Sequence, residues 1–265
     1  MEEGALFVRD GDGYVATNLA QGGWDPRNAN GGTVLALVGD RLEDVPSLVP
    51  MTMSRMTADL VRPVPLGRRL RIEPRVLREG KKIQVVDLEV VVDELACAHV
   101  RVLRLRQSEF DPSDLPRSST DERPADALEA PEASRSYRGA TPHDPGFLHA
   151  VDMRYARRRD GGTAGIWIRL EVPVVAGEPV RPAAFLAFGF DFANLIVIDV
   201  RPMLATMINP DVSAHVLRPP TGEWIALTGD TRLNPALGRG LSTALLSDTD
   251  GVFAVVSMSQ LIQPR

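Results

Sequence analysis

The sequence predicts an α+β protein made of two tandem copies of one unit, each a helix followed by a long, curled antiparallel sheet. Three observations carry this. Leu60-Val61-Arg62-Pro63, then Gly67 and an apolar alternation from Leu70, is echoed by Val216-Leu217-Arg218-Pro219, Gly222 and Trp224-Ile225-Ala226-Leu227. Each copy then runs through a Gly-containing basic turn (Arg78-Glu79-Gly80-Lys81-Lys82 or Gly238-Arg239-Gly240) and an acidic turn (Asp93-Glu94 or Asp248-Thr249-Asp250-Gly251). Self-similarity on this scale marks one structural unit built twice. Finally, the hydrophobic period changes from helical to two in each half.

The elements follow in order. Gly22-Gly23-Trp24-Asp25-Pro26 reads as a turn, and Asn30-Gly31-Gly32 opens a short helix. Val34, Leu35, Val38 and Leu42 share one helical face, with Asp40, Arg41 and Glu43 turned outward, so the helix should be half buried. Leu70 and Ile72, then Val86, Leu88, Val90 and Val92, then Val100 and Val102 alternate as a meander, with turns at Pro63–Gly67, Glu79-Gly80 and Asp93-Glu94. From about Ser108 to Pro142 the chain is rich in Pro, Ser, Asp, Glu and Arg and nearly devoid of large apolar side chains. Such a stretch buries too little surface to offset its ordering entropy and reads as a linker crossing the outside. This divides the chain into an N-terminal unit (1–107), a polar linker (108–145) and a C-terminal unit (146–265). In the last unit a strand near Ala164–Glu171 precedes a Pro-broken loop, Val172 to Arg181. Pro182 suits the first position of a helix running through Phe185, Phe188 and Phe192 to about Asn194. Strands are expected at Val212–Leu217, Glu223–Thr228, Ser242–Ser247 and Phe253–Leu261, the two sheets joining edge to edge.

Composition narrows the function classes. Of 265 residues, 44% are hydrophobic and 25% charged, with a net charge of -5, which argues against nucleic acid as a partner, since phosphate binding needs a Lys/Arg excess. Cys97 is the only cysteine, which excludes an internal disulfide and a thiolate metal cluster and fits a reducing compartment. His99, His143, His149 and His215 have no metal-ligand spacing, Gly161-Gly162 is an ordinary turn, and no phosphate-binding Gly motif is present, so no cofactor is implied. The acidic start, with no basic flank or long apolar run, is not expected to be a signal peptide. No stretch approaches the roughly 20 apolar residues of a membrane span; the longest apolar segment, Ala183 to Val200, is interrupted by Gly189, Asp191 and Asn194. The expectation is a cytoplasmic protein.

The arrangement resembles the hotdog fold, in which a sheet wraps one long helix, and specifically the double-hotdog acyl-CoA thioesterases of the thioesterase II type. The resemblance is strongest from Asn209-Pro210-Asp211-Val212-Ser213-Ala214-His215 to Glu223-Trp224. It continues through Gly238-Arg239-Gly240-Leu241, Asp250-Gly251 and Ser257-Met258-Ser259-Gln260, and in the first half through Asn30-Gly31-Gly32 and Leu60-Val61-Arg62-Pro63-Val64. It implies hydrolysis of acyl-CoA thioesters by a water held by an Asp, a Thr or Ser and a Gln of the second unit. By motif position these are Asp211, Thr231 and Gln260, with Thr228 a nearby competitor for the hydroxyl. Val212 stands where many members have His, and Leu261-Ile262 where Glu-Gly is frequent.

Those residue types suit the chemistry. A carboxylate can take a proton from water as general base, while an amide and a hydroxyl orient the same water. Backbone N–H groups at a helix N-terminus are natural donors to an oxyanion, and Gly31 and Gly32 would let a thioester carbonyl approach closely. The first unit has Arg55 opposite Asp211 and a position near Leu103 opposite Gln260, so one active site per chain is expected. The acyl-CoA substrate is the partner implied; Arg154, Arg157, Arg158 and Arg159 form a short basic run that could meet its phosphates or simply be solvated. Acyl-chain choice would depend on packing among Phe185, Phe188, Phe190, Leu204 and Met207, and self-association through sheet edges stays open. Two other functions remain: an acyl-CoA-binding protein without turnover, and a hotdog hydratase/dehydratase, for which Asn30-Gly31-Gly32 offers no Asp–His pair.

Overall fold

The computed structural model describes residues 4–109, 124–137, 144–159, 165–197 and 205–264. His143, Gly161-Gly162 and Leu204 lie outside the described residues.

The first half contributes β1 (Phe7–Asp10), β2 (Gly13–Ala16), α1 (Gly31–Leu42), β3 (Met51–Asp59), β4 (Arg69–Arg78), β5 (Ile83–Val92) and β6 (Leu95–Arg106). The second contributes β7 (Arg135–Ser136), β8 (Val151–Ala156), β9 (Gly165–Leu170), α2 (Pro182–Phe190), β10 (Ala205–Ile208), β11 (Asp211–Val216), β12 (Ile225–Asn234), β13 (Arg239–Asp248) and β14 (Gly251–Pro264). The described strands form one 14-stranded sheet in the order β1-β2-β4-β5-β6-β3-β11-β14-β13-β12-β9-β8-β7, with β10 also pairing β14. The halves join where β3 and β11 run antiparallel, Asp59 opposite Asp211 and Arg55 opposite His215. Inward side chains of both half-sheets and of α1 and α2 merge into one core. This is the double hotdog expected from the sequence.

The internal repeat is kept strand by strand. Arg69 and Ile225, Ile83 and Arg239, and Leu95 and Gly251 open equivalent strands at one constant spacing. Even the register shift recurs, between Val90 and Val91 in β5 and between Leu246 and Ser247 in β13. On that spacing Asp211 corresponds to Arg55, Gly240 to Gln84 and Gln260 to Arg104, one residue from the Leu103 expected.

Three expectations need correction. β1, β2, β3, β8 and β10 were not anticipated, although in β8 Val151, Met153 and Tyr155 alternate with Asp152 and Arg154, and β12 continues past Thr228 to Asn234. The segment read as a linker is partly built into the fold. Ala125 and Leu128 pack with Ala156, Trp167 and Ala226 in a small cluster on the outer side of the sheet, and Trp167 Nε1 donates to the Glu129 carbonyl at 2.9 Å.

The third correction concerns α1, which is buried from Gly32 to Leu42, Asp40 and Arg41 included. α2 covers the face expected to be solvated; a Cβ at Gly39 would lie 2.3 Å from the Ala183 carbonyl oxygen. The charges are met by an ion cluster. Arg41 pairs with Asp40, with Glu178 at 2.8 Å and with Asp44 at 3.0 Å. Arg181 reaches Asp44 at 2.7 Å and Arg9 reaches Glu178 at 2.7 Å. Glu43 accepts the Ala183 N–H at 2.8 Å, satisfying one orphan amide at the start of α2.

Candidate active site

Strand alternation decides which side chains can meet, because successive residues point to opposite faces. In β14, Ala254, Val256, Met258 and Gln260 are buried on the inner face. Their partners in β13 are Leu246, Ala244, Ser242 and Gly240. In β12, Thr231 stands opposite Ser242. Thr231, Ser242, Gly240 and Gln260 therefore share the inner face. Thr228 does not: it alternates with inward Leu227 and lies on the side of Ala226 and Trp167.

The chemistry of this patch is unusual. Gln260 is 2% exposed, yet neither its Nε2 nor its Oε1 has a hydrogen-bond partner among the described residues. Leaving a buried amide unpaired costs about 1–3 kcal/mol per group, so an orphan of this kind calls for an explanation. Gly240 makes the space it occupies; a Cβ there would sit 2.3 Å from Gln260 Oε1. Beside it, the Thr231 and Ser242 hydroxyls share a hydrogen bond of 2.5 Å.

The equivalent place in the first unit is filled. Arg104 Nη1 donates to Gln84 Oε1 at 2.9 Å and to the Val45 carbonyl at 2.8 Å, and Gln84 Nε2 donates to the Pro46 carbonyl at 2.7 Å. One unit thus closes the position with a satisfied network, while the other leaves an open amide beside a glycine.

Asp211 arrives differently. It alternates with inward Val212 and Ala214, so its side chain does not leave the sheet on the Gln260 face. The ladder is interrupted at this point. β10 pairs with β14 as far as Ile208 opposite Leu261, and β11 resumes at Ser213 opposite Ser257. The Asp211 carboxylate enters that gap, Oδ1 accepting the Ser259 N–H at 2.9 Å, beside Gln260 in the chain. Oδ2 has no partner among the described residues. Ladder breaks recur next to active sites because they re-aim a side chain.

The N-terminus of α1 is the fourth component. Asn30 caps it, its side chain accepting from the Thr33 N–H at 3.3 Å. The Gly32 N–H is not open to a substrate in this structure: it donates to Asp191 Oδ2 at 2.9 Å. The Gly31 N–H is the donor left without a partner among the described residues. Asp191 is buried, and burial pushes its carboxyl up to about 6, against the opposing pull of its bonds from Asn209 and Gly32. A Cβ at Gly31 would stand 2.9 Å from Asp191 Oδ2, so this glycine admits the carboxylate to the helix end.

Elsewhere, Arg154 of the basic run is committed to Asp152 at 2.7 Å and stacks over Trp224. Trp24, in the turn before α1, is 40% exposed. A groove of about 850 Å³ on the outer face near Asp59, His99 and Arg101 holds charges that pair with one another, such as Arg101–Asp87 at 2.6 Å.

The acyl-CoA thioesterase C-terminal domain model matches residues 120–262, and the corresponding N-terminal domain model matches residues 20–105. The chain belongs to the acyl-CoA thioesterase family. A candidate thioesterase from Novosphingobium aromaticivorans is similar in structure, with a TM-score of 0.72 at 19% identity over 97% of this chain and 98% of its own. A candidate thioesterase II from Thermobifida fusca gives 0.71 at 20% identity over 97% and 95%. A hotdog protein of unknown function from Alicyclobacillus acidocaldarius gives 0.66 at 13% identity over 97% and 95%. No curated protein matches the sequence.

Sequence reasoning missed Ser242, Asp191 and Asn194 as site components. Asp191 and Asn194 registered only as interruptions of an apolar run. That was the available signal, since a polar residue inside a buried segment must find a partner. Among the described residues no helix is long and apolar enough to cross a membrane.

Proposed function

We propose that this protein hydrolyses acyl-CoA thioesters to the free acid and CoA at one site per chain, in the second unit. The observation that carries the proposal is Gln260: a buried amide with no partner, beside Gly240, where the first unit has a closed Arg104–Gln84 pair. Family membership supports thioester hydrolysis as the reaction class.

The residues divide the work. Asp211, held at Oδ1 by the Ser259 N–H, keeps Oδ2 for the proton of an attacking water. Gln260 and Thr231 orient that water, the Thr231 hydroxyl being fixed by Ser242. The Gly31 N–H donates to the carbonyl oxygen as charge develops on it. Water attacks the thioester carbon, the C–S bond breaks, and the proton taken by Asp211 leaves on the thiol. No covalent enzyme intermediate is needed.

The placement of Asp211 off the Gln260 face favours a second reading, an acyl-CoA-binding protein without turnover. A panel of acyl-CoAs of increasing chain length, assayed for thiol release and for calorimetric binding, separates the two. Hydrolysis predicts catalytic thiol release with at least one chain length. Saturable binding with no release at any length would establish the binding protein instead.

A further inference from the structure

Asp191 joins the two units at the start of α1. It caps the C-terminus of α2. Its Oδ2 accepts the Gly32 N–H at 2.9 Å, and its Oδ1 accepts the Asn209 side-chain N–H at 2.9 Å. Asn209 Oδ1 in turn accepts from Asn194 Nδ2 at 3.2 Å. Each hydrogen bond in this chain is donated toward one carboxylate.

A buried carboxylate is ordinarily paired with a cation, because desolvating an unpaired charge is costly. Here the opposing influences are two amides, Asn209 and Gly32, at the positive end of the α1 dipole. A stability cost is thus retained at the junction of two site segments. One is the start of α1, with the Gly31 N–H. The other is Asn209-Pro210-Asp211, where the Pro210 carbonyl also holds the Leu60 N–H at 2.7 Å.

We propose that Asp191 is a positioning residue, locking the α1 N-terminus to the strand entry at Asn209 so that the Gly31 N–H and the Asp211 carboxylate keep a fixed relation during the reaction. This rests on the hydrolysis proposed above, with Asp191 acting through these two segments.

The polarity of the chain supplies the test. In Asp191→Asn the new amide can still accept from Gly32, but its NH₂ then opposes the NH₂ of Asn209. In Asn209→Asp two carboxylates face each other. The double exchange, Asp191→Asn with Asn209→Asp, restores all three bonds: residue 191 accepts from Gly32 and donates to residue 209, which also accepts from Asn194. Thiol release is measured below the melting range of every variant, alongside amide hydrogen exchange at residues 31–34 and 209–213.

Each single variant should lower kcat about tenfold or more with KM nearly unchanged, since small misplacements of reacting groups cost rate at this scale. Exchange should quicken in both segments, and the double exchange should return both readouts toward wild type. Single variants with wild-type kcat, or a double variant no better than the singles in either readout, would overturn the proposal. If wild type releases no thiol, the hydrolysis reading falls, while exchange still judges Asp191. Coupled loosening and joint rescue of the two segments would uphold the lock, and loosening of one alone would overturn it.

Discussion

Gln260→Met is expected to disable the protein while leaving it folded. The side chains have nearly the same length and volume, so the swap should cost little in packing. What it removes is a buried amide whose two polar atoms have no partner among the described residues. Turnover should fall by about 10²-fold, because a thioether cannot orient the attacking water. Differential scanning calorimetry confirms that the variant is folded at the assay temperature, and a thiol-release assay on the same sample reads the loss. A folded variant that releases thiol as fast as wild type would remove Gln260 from the site.

Arg41→Ala should have the largest effect on stability. Arg41 is buried in α1 and bridges Asp40, Glu178 and Asp44. Its removal leaves Asp40, itself 1% exposed, with Arg181 Nε at 3.4 Å as its remaining cationic neighbour. Removing one partner of a buried charge network costs about 3–5 kcal/mol, because the other charge stays buried. The expected fall in melting midpoint is on the order of 10 °C. Arg27→Ala, which removes an exposed pair with Asp25, should leave the midpoint unchanged. Equal shifts in the two variants would show that the α1–α2 clasp contributes no more than a surface pair.

The contrast between these two residues also shows what was legible in the sequence. The repeat, the central helices and the meander strands follow from local patterns, and β5 with β13, and β6 with β14, appear where the alternation places them. Arg41 was misplaced because α1 taken alone has a charged side. That side is buried only because α2, from the other unit, lies against it, and helical periodicity contains no information about a distant partner. Asp191 was missed for the same reason, since its partner Gly32 is 159 positions away.

At the site, the family resemblance led to Gln260 and Asp211, but the face each side chain occupies depends on pairing register. One residue of slip moves a side chain to the opposite face. Register separates Thr231 from Thr228, identifies Arg104 rather than Leu103 as the counterpart of Gln260, and places Asp211 in the ladder gap rather than on the inner face.

The central claim is that a water activated at Asp211 hydrolyses an acyl-CoA thioester. The most direct measurement is the rate of thiol release by Asp211→Asn relative to wild type, on whichever acyl-CoA wild type turns over fastest. The substituted amide oxygen can still accept the Ser259 N–H, so the local structure is kept while the base is lost. The account predicts a fall in kcat of about 10²–10⁴-fold. A variant that releases CoA as fast as wild type would contradict it.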